Sequence, residues 1–334
     1  MIQIFCRERF VTIRQTRNLR FERACLTTGQ IPHVQTKCPS SSRVFDITLQ
    51  EKIMAVLITG AGTGFGFEVA LRLAKQGLDV IAGVEIVAQV HVLEQEARKR
   101  GVSLRIEKLD VSHEGDRLKA AEWDVDILLN NAGISEGGAT VDIPAENLRR
   151  QYEVNVIGPL MLTQLIAKKM AVKKKGKIIF MSSVAGITAD PFAGAYSSSK
   201  HAVEAIAEAM SLELKEFGIE VATVNPGPFL TGFNDRMFET WKTWQDDPSQ
   251  RLFDYSKLAF PHEQYDPEPV FETTIGVITG TIDTYRNVEP KEIIDQQRKQ
   301  MDSAWTRKSN EGLGKRAELV QKAYDIEPGT PVKS

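Results

Sequence analysis

Tyr196 and Lys200 stand four residues apart at the start of a stretch rich in alanine (Ala202, Ala205, Ala207, Ala209). On a helix that spacing puts both side chains on one face, with Cβ atoms about 6 Å apart. A free phenol, with a pKa of about 10, is mostly the wrong species to act as a base at neutral pH. An ammonium about 5 Å away, at an effective dielectric of about 20, is worth about 3 kcal/mol, or roughly two pKa units. The expectation is a tyrosine tuned by its lysine toward general acid/base work. Such a pair also arises by chance on exposed helices, so its weight depends on what surrounds it.

Three further groups surround it. Thr59-Gly60-Ala61-Gly62-Thr63-Gly64-Phe65-Gly66 lies after an apolar run and before a helical stretch. Glycines are needed where a backbone must turn sharply and approach a pyrophosphate, whose charge meets a helix N-terminus. No Gly-Lys-Ser/Thr follows, so this is not a Walker loop. Asn130-Asn131-Ala132-Gly133 ends another apolar run, and Ser182 and Ser183 end a third. Asn155 lies in a helical stretch, 147–170, that contains Pro159. Proline has no N–H, so the carbonyl of residue 155 is expected to lose its usual partner and to be free to hold a water. The plain alternative is a proline kink and nothing more.

These groups need a scaffold that brings distant loops together. Short apolar runs at 55–58, 80–84, 104–109, 125–129, 177–181 and 220–224 alternate with helical stretches. One such stretch carries Val69, Ala70, Leu73 and Ala74, with Gly77 placed to cap it. Strand and helix alternating six times predict an α/β fold with a doubly wound parallel sheet, whose ligand-binding loops follow the strands.

In order and spacing, Thr59-Gly-x-x-x-Gly-x-Gly66, Asn130-Asn-Ala-Gly133, Asn155, Ser183, Tyr196-x-x-x-Lys200 and Pro226-Gly227 resemble the short-chain dehydrogenase/reductase family. The thirteen-residue gap from Ser183 to Tyr196 is the family's usual one and selects Ser183 over Ser182. The likeness covers roughly residues 54–231 and thins beyond. It implies a Rossmann-type sheet and an NAD(P)-dependent oxidoreductase acting on a secondary alcohol or its ketone. Tyr196 would be the acid/base. Lys200 would tune it and hold the nicotinamide ribose, Ser183 would bind the substrate oxygen, and Asn155 would hold a water. Gly60, Gly64, Gly66, Asn131, Pro226 and Gly227 would cradle the cofactor, with Asp110 near its adenine and Thr231 near its amide. For Asp110, an ordinary Asp-Val-Ser helix cap is an equal alternative. The resemblance also implies a homo-oligomer joined through the helices that carry Asn155 and Tyr196.

Cofactor choice is read at the end of the second strand. Val84 and Glu85 stand there, eighteen and nineteen residues after Gly66, and neither they nor Ile86, Val87 and Thr63 are basic. An acid there accepts from a free 2′-hydroxyl and repels a 2′-phosphate, so NAD is expected over NADP through Glu85.

Other function classes fit less well. A non-catalytic dinucleotide sensor on this fold would be expected to lack the Tyr, Ser or Lys, and all three are present. Epimerases and dehydratases of the fold usually carry larger substrate domains. No Gly-x-Ser-x-Gly surrounds Ser182 or Ser183, which disfavours a hydrolase. A net charge of −2 over 334 residues argues against a nucleic-acid binder. No run approaches the length of a membrane span. His33, His91, His113, His201 and His262 form no metal-like spacing, and no metal is expected. The cysteines are Cys6, Cys25 and Cys38, so residues 54–334 hold no thiol.

Residues 1–53 differ from the rest: 9 Lys+Arg against 4 Asp+Glu, a net of +5. Arg7, Arg9, Arg14, Arg17 and Arg20 give a composition like an organelle transit peptide. The favoured reading is an extension outside the fold, with the catalytic domain at 54–334 and a cytoplasmic location; organelle targeting stays open. Nine of the chain's 25 aromatics fall between Phe229 and Tyr265. Two readings stand for them: a helical lid over an apolar or aromatic substrate, or, with equal standing, an aromatic core under an ordinary helical insertion or a dimer contact.

Overall fold

Side chains alternate across a strand, so a strand buried on both faces must be apolar at every position. Ala55–Ile58 is of this kind, and Ile127–Asn130 is also buried along its whole length, its one polar residue, Asn130, donating to Thr163 Oγ1 at 2.9 Å. In this computed structural model, residues 2–6, 9–13, 34–37, 44–47 and 54–329 are described. They fall into two units, residues 1–53 and 54–334.

The first unit holds two antiparallel pairs. β1 (Ile2–Cys6) pairs with β2 (Arg9–Ile13), and β3 (Val34–Lys37) with β4 (Val44–Ile47). The sequence shows no sustained hydrophobic period over residues 1–53. Backbone ladders need no hydrophobic alternation. Arg7, Arg14, Arg17, Arg20, Cys25, His33 and Cys38 lie outside the described residues.

The second unit holds the expected parallel sheet, with one strand more than the six apolar runs of the sequence, the edge strand at Arg286–Glu289. Its strands are β5 (Ala55–Ile58), β6 (Asp79–Val84), β7 (Arg105–Lys108), β8 (Ile127–Asn130), β9 (Gly176–Met181), β10 (Ile219–Pro226) and β11 (Arg286–Glu289). All pair in parallel, in the order β11-β10-β9-β8-β5-β6-β7. The helices are α1 (Gly64–Lys75), α2 (Val87–Arg100), α3 (Glu114–Ala121), α4 (Ala145–Tyr152), α5 (Gly158–Lys173), α6 (Gly194–Glu213), α7 (Phe233–Met237), α8 (Glu268–Thr279), α9 (Ile294–Ala304) and α10 (Glu318–Asp325).

The two-residue period sorts the core. Val56, Ile58, Ile127, Leu129, Ile179 and Val224 pack with Val69 and Leu73 of α1, Leu93 of α2 and Val270 and Val277 of α8. Their neighbours Leu57, Leu128, Ile178 and Phe180 pack on the opposite face with Leu162 and Ile166 of α5 and Val203 and Ala207 of α6. The winding reverses between β5 and β8, so the loops after them open a crevice at the strands' carboxyl ends.

The segment 229–265 is less helical than expected. It contains α7 and three short 3₁₀ turns, at Thr240–Thr243, Pro248–Gln250 and Tyr255–Lys257. α8 then begins at Glu268 with Pro269 in its first turn, the position where a missing N–H costs nothing.

Two separate units lead to a prediction. A chain beginning at Met54 should fold and melt within a few degrees of the full chain, as followed by circular dichroism. Insolubility or a large fall in melting temperature would show that residues 1–53 support the sheet.

Candidate active site

The crevice begins with Thr59, fully buried at the end of β5. Its Oγ1 accepts from the backbone N–H groups of Asn131 and Ala132, each at 3.0 Å. Asn131 Nδ2 donates to the carbonyls of Thr59 at 2.9 Å and Gly60 at 3.1 Å. The glycine loop and the Asn130–Gly133 loop are thus stitched together. Two glycines are required by this closeness. Gly60 has φ +64°, and a Cβ there would lie 2.7 Å from Ala132 Cα. At Gly66 a Cβ would lie 2.4 Å from Asn131 Nδ2 and 2.8 Å from the Gly60 carbonyl. Gly64, with φ +59°, opens α1 facing free space. The first turn of α1 carries no acidic residue, and its N-cap Thr63 makes no side-chain cap bond, so this positive helix end is left for a ligand.

A cleft of about 190 Å³ runs along these loops. It is lined by Gly60, Gly64, Glu85, Asp110, Asn131, Ser183, Tyr196, Lys200, Pro226, Gly227 and Thr231, all singled out by the sequence. Gly66 and Asn155 stand behind that lining. Phe65, Phe229, Phe233 and Arg236 also line it; Phe65 and Arg236 are not among the residues expected from the sequence. The glycine loop could have pointed to Phe65, but no motif in the sequence points to Arg236.

Asn155 is reached by a different route from the one expected. α4 passes into a π-helical turn, Glu153–Ile157, before α5. The Gly158 N–H bonds the Glu153 carbonyl five residues back, so widened rungs absorb the interruption at Pro159. The side chain is buried and makes two hydrogen bonds to the Ile134 main chain: Oδ1 accepts from its N–H at 2.8 Å and Nδ2 donates to its carbonyl at 2.9 Å. Nδ2 also reaches Ser199 Oγ at 3.1 Å, and that hydroxyl donates to the Tyr196 carbonyl at 2.7 Å. Ser199 and the buried Gln151, which also bonds Ile134 and Ser199, were missed because polar residues inside a helix carry no sequence signature. Gly133 sits over the junction, since a Cβ there would meet Asn155 Oδ1 at 3.4 Å and Lys200 Nζ at 3.8 Å.

Ser183 leaves β9 in extended conformation. Its Oγ donates to the Pro226 carbonyl at 3.2 Å and accepts from the Ala185 N–H at 3.1 Å. Lys200 Nζ donates to the Met181 carbonyl at 2.7 Å and lies 5.7 Å from the centre of the Tyr196 ring. Phe233 meets that ring edge-on at 5.5 Å.

The electrostatics correct the expected tuning. Burial pushes Tyr196 up to about 12, with the Ser183 hydroxyl pulling the other way. Burial likewise pushes Lys200 down to about 8, opposed by the charge of Glu204. Desolvation is the leading cause for both groups, and the Lys200 ammonium, bonded to the Met181 carbonyl, is not among the causes that move Tyr196.

The cofactor-edge residues divide. Asp110 Oδ1 accepts from the Ser112 N–H at 2.9 Å and its hydroxyl at 2.6 Å in a local turn; the next helix starts at Glu114 with His113 as its N-cap, so Asp110 does not cap it, and it borders the cleft. Glu85 is exposed, and its N–H is held by Gln89 Oε1 at 3.0 Å. Thr231 turns back with its N–H on the Phe229 carbonyl.

The aromatics of the lid resolve mostly into core. Trp244, Tyr255, Phe238, Trp241 and Phe253 pack with Phe192, Ala139, Leu258 and Ala323 of α10. Only Phe229 and Phe233 of the nine border the cleft, so the aromatic richness does not describe the pocket wall. The segment is also pinned. Trp244 Nε1 donates to the buried Glu136 at 2.6 Å, and the Tyr255 hydroxyl donates to Asp142 at 2.8 Å. Among the described residues no cluster could hold a metal, and no helix is long and apolar enough to cross a membrane.

Comparison with known proteins bears on this arrangement. The family model for short chain dehydrogenase matches residues 54–242. An uncharacterized oxidoreductase of Bacillus subtilis, YusZ, is 36% identical over 209 residues, covering 60% of this chain and 74% of its own. An NADPH-dependent 3-dehydrocapnine reductase of Ornithobacterium rhinotracheale is 34% identical over 184 residues, covering 52% of this chain and 65% of its own. A crystal structure of an actinorhodin polyketide ketoreductase variant with NADPH superposes with a TM-score of 0.60 at 27% identity, covering 72% of this chain and 97% of its own.

The stitched loops yield a prediction. Gly60→Ala should cost about 1–3 kcal/mol in urea unfolding, since the new methyl meets backbone that cannot swing away. Unchanged stability would mean the two loops separate freely.

Proposed function

Because the chain belongs to the short-chain dehydrogenase family, we propose that it is an NAD(P)-dependent oxidoreductase that interconverts a secondary alcohol and its ketone. The observation that carries this reading is the convergence of Ser183, Tyr196 and Lys200, backed by Asn155, on the cleft shared with the glycine loop. A non-catalytic sensor has no use for the complete set.

The residues fit a nicotinamide dinucleotide. The free N-terminus of α1 and the open space at Gly64 suit its pyrophosphate. Lys200, Asn131, Pro226, Gly227 and Thr231 would hold its nicotinamide half, and Glu85 and Asp110 its adenosine half. When bound, the dinucleotide supplies or accepts the hydride. The protein's part is proton transfer at the Tyr196 hydroxyl and a hydrogen bond from Ser183 Oγ to the same substrate oxygen. At neutral pH a tyrosine pushed up by burial is a neutral phenol, the species that donates a proton to a ketone oxygen. Asn155, locked between Ile134 and Ser199, is read as holding the far end of the proton path.

Glu85 at the cleft edge favours NAD, whereas the names of the capnine relative and the ketoreductase complex point to NADPH for those proteins. The substrate is read as a small alcohol or ketone, apolar where Phe229 and Phe233 border it. A homo-oligomer through α5 and α6 agrees with the exposed Val172, Ala205, Ala209 and Leu212 on those helices.

Tyr196→Phe should lower turnover by at least about a hundredfold while dinucleotide binding survives, because only the proton-transfer hydroxyl is lost. Steady-state rates with a panel of ketones and alcohols, beside cofactor fluorescence, check this; a variant near the wild-type rate would sink the assignment. Alcohol oxidation should quicken as pH rises, since it needs the phenol deprotonated, and ketone reduction should not. For the cofactor, NADH should bind more tightly than NADPH at fixed ionic strength. Tighter NADPH would show that another cation, with Arg236 already at the cleft, completes the pocket.

A further inference from the structure

Beneath the cleft lies a carboxylate that this proton chemistry does not use. Glu204 follows Tyr196 and Lys200 at the next four-residue step of α6 and is only 6% exposed. A buried charge is tolerated when it is paired and hydrogen-bonded. Glu204 Oε2 accepts from Arg286 Nη2 at 2.7 Å, and Oε1 accepts from Asn225 Nδ2 at 2.6 Å.

Asn225 connects this carboxylate to the site. It is fully buried on β10, its Oδ1 accepts from Thr223 Oγ1 at 2.8 Å, and its Nδ2 also donates to the Ser183 carbonyl at 3.2 Å. The next residue, Pro226, accepts from the Ser183 hydroxyl. β10 therefore grips Ser183 at main chain and side chain together, and Glu204 aims one of the two grips. The charged and titratable groups around Glu204 are Lys200 on its own helix and Tyr285 and Arg286 at β11, with Glu208 also acting on Tyr285. Lys200 in turn faces Tyr196 and Glu204.

We propose that Glu204 is a positioning residue of this site: through Asn225 it holds the Ser183 main chain in place, and its negative charge sustains the buried Lys200 ammonium. The roles of Ser183 and Lys200 rest on the oxidoreductase reading, but the Glu204–Lys200 coupling can be measured without turnover.

Full-length Glu204→Gln and Glu204→Leu test it. Gln keeps an acceptor for Asn225 and removes the charge, whereas Leu removes both. Trace acetylation by acetic anhydride, read at Lys200 by mass spectrometry across pH, titrates the amine directly. The wild-type midpoint is expected at about 8, and both variants should titrate at lower pH, because losing a nearby anion disfavours the ammonium. With any substrate that is turned over, Glu204→Leu should lose about tenfold to a hundredfold in kcat through misplacement of Ser183, and Glu204→Gln much less. An unmoved midpoint in Glu204→Gln overturns the electrostatic role, and it decides the matter alone if Glu204→Leu does not fold. Undiminished kcat in a folded Glu204→Leu overturns the positioning role. A wild-type protein that turns over nothing, with the midpoint shift intact, counts against the oxidoreductase reading and leaves the coupling standing.

Discussion

One hydroxyl joins the two halves of the sheet where their winding diverges. Thr59 Oγ1, buried at the end of β5, receives two backbone N–H groups from the loop after β8 and lies 3.4 Å from the Leu129 carbonyl. A hydroxyl has one donor and two acceptor lone pairs, so this single group is fully used. Asn131 answers from the other side by bonding the Thr59 and Gly60 carbonyls. The consequence is a contact too close for side chains, met by glycine at 60 and 66. This close contact forms the floor of the cleft, and the first turn of α1 meets it with no acidic residue and no side-chain cap bond.

The proton-handling residues meet a second constraint, desolvation. Tyr196 and Lys200 share a helix face, but the crevice that brings them together also removes their water. Burial favours the neutral form of each. The site is therefore built around a phenol that keeps its proton and an amine held by the Met181 carbonyl, with Glu204 opposing the loss of its charge. A polar network behind the cleft, from Asn155 through Ser199 to the Tyr196 main chain, orients groups whose own charges are expensive to bury.

The insertion after β10 follows different rules. Its aromatics form a satellite core with α10 and the residues around Ala139, and buried hydrogen bonds to Glu136 and Asp142 tie it down. Gly138 permits the contact, since a Cβ there would lie 2.5 Å from the Trp244 ring. The segment borders the mouth of the cleft through Phe233, Asn234 and Arg236 of α7.

The sequence alone determined the parallel sheet, because two-sided burial demands continuous apolar runs and crossover helices leave a regular punctuation between them. It also determined which glycines, serine, tyrosine and lysine meet, because a doubly wound sheet delivers the ends of successive strands to one edge. The tertiary structure decided what distance and dielectric govern. Whether Lys200 lowers or Tyr196 resists depends on how much water the fold excludes, which residue spacing does not encode. The π turn at 153–157 depends on how α5 packs, and the aromatic lid became core because α10, some sixty residues further on, supplies its other side. Glu204 reads in the sequence as one more helix carboxylate. Only the approach of β10 and β11 gives it Asn225 and Arg286, since contacts between distant segments are set by packing and not by local pattern.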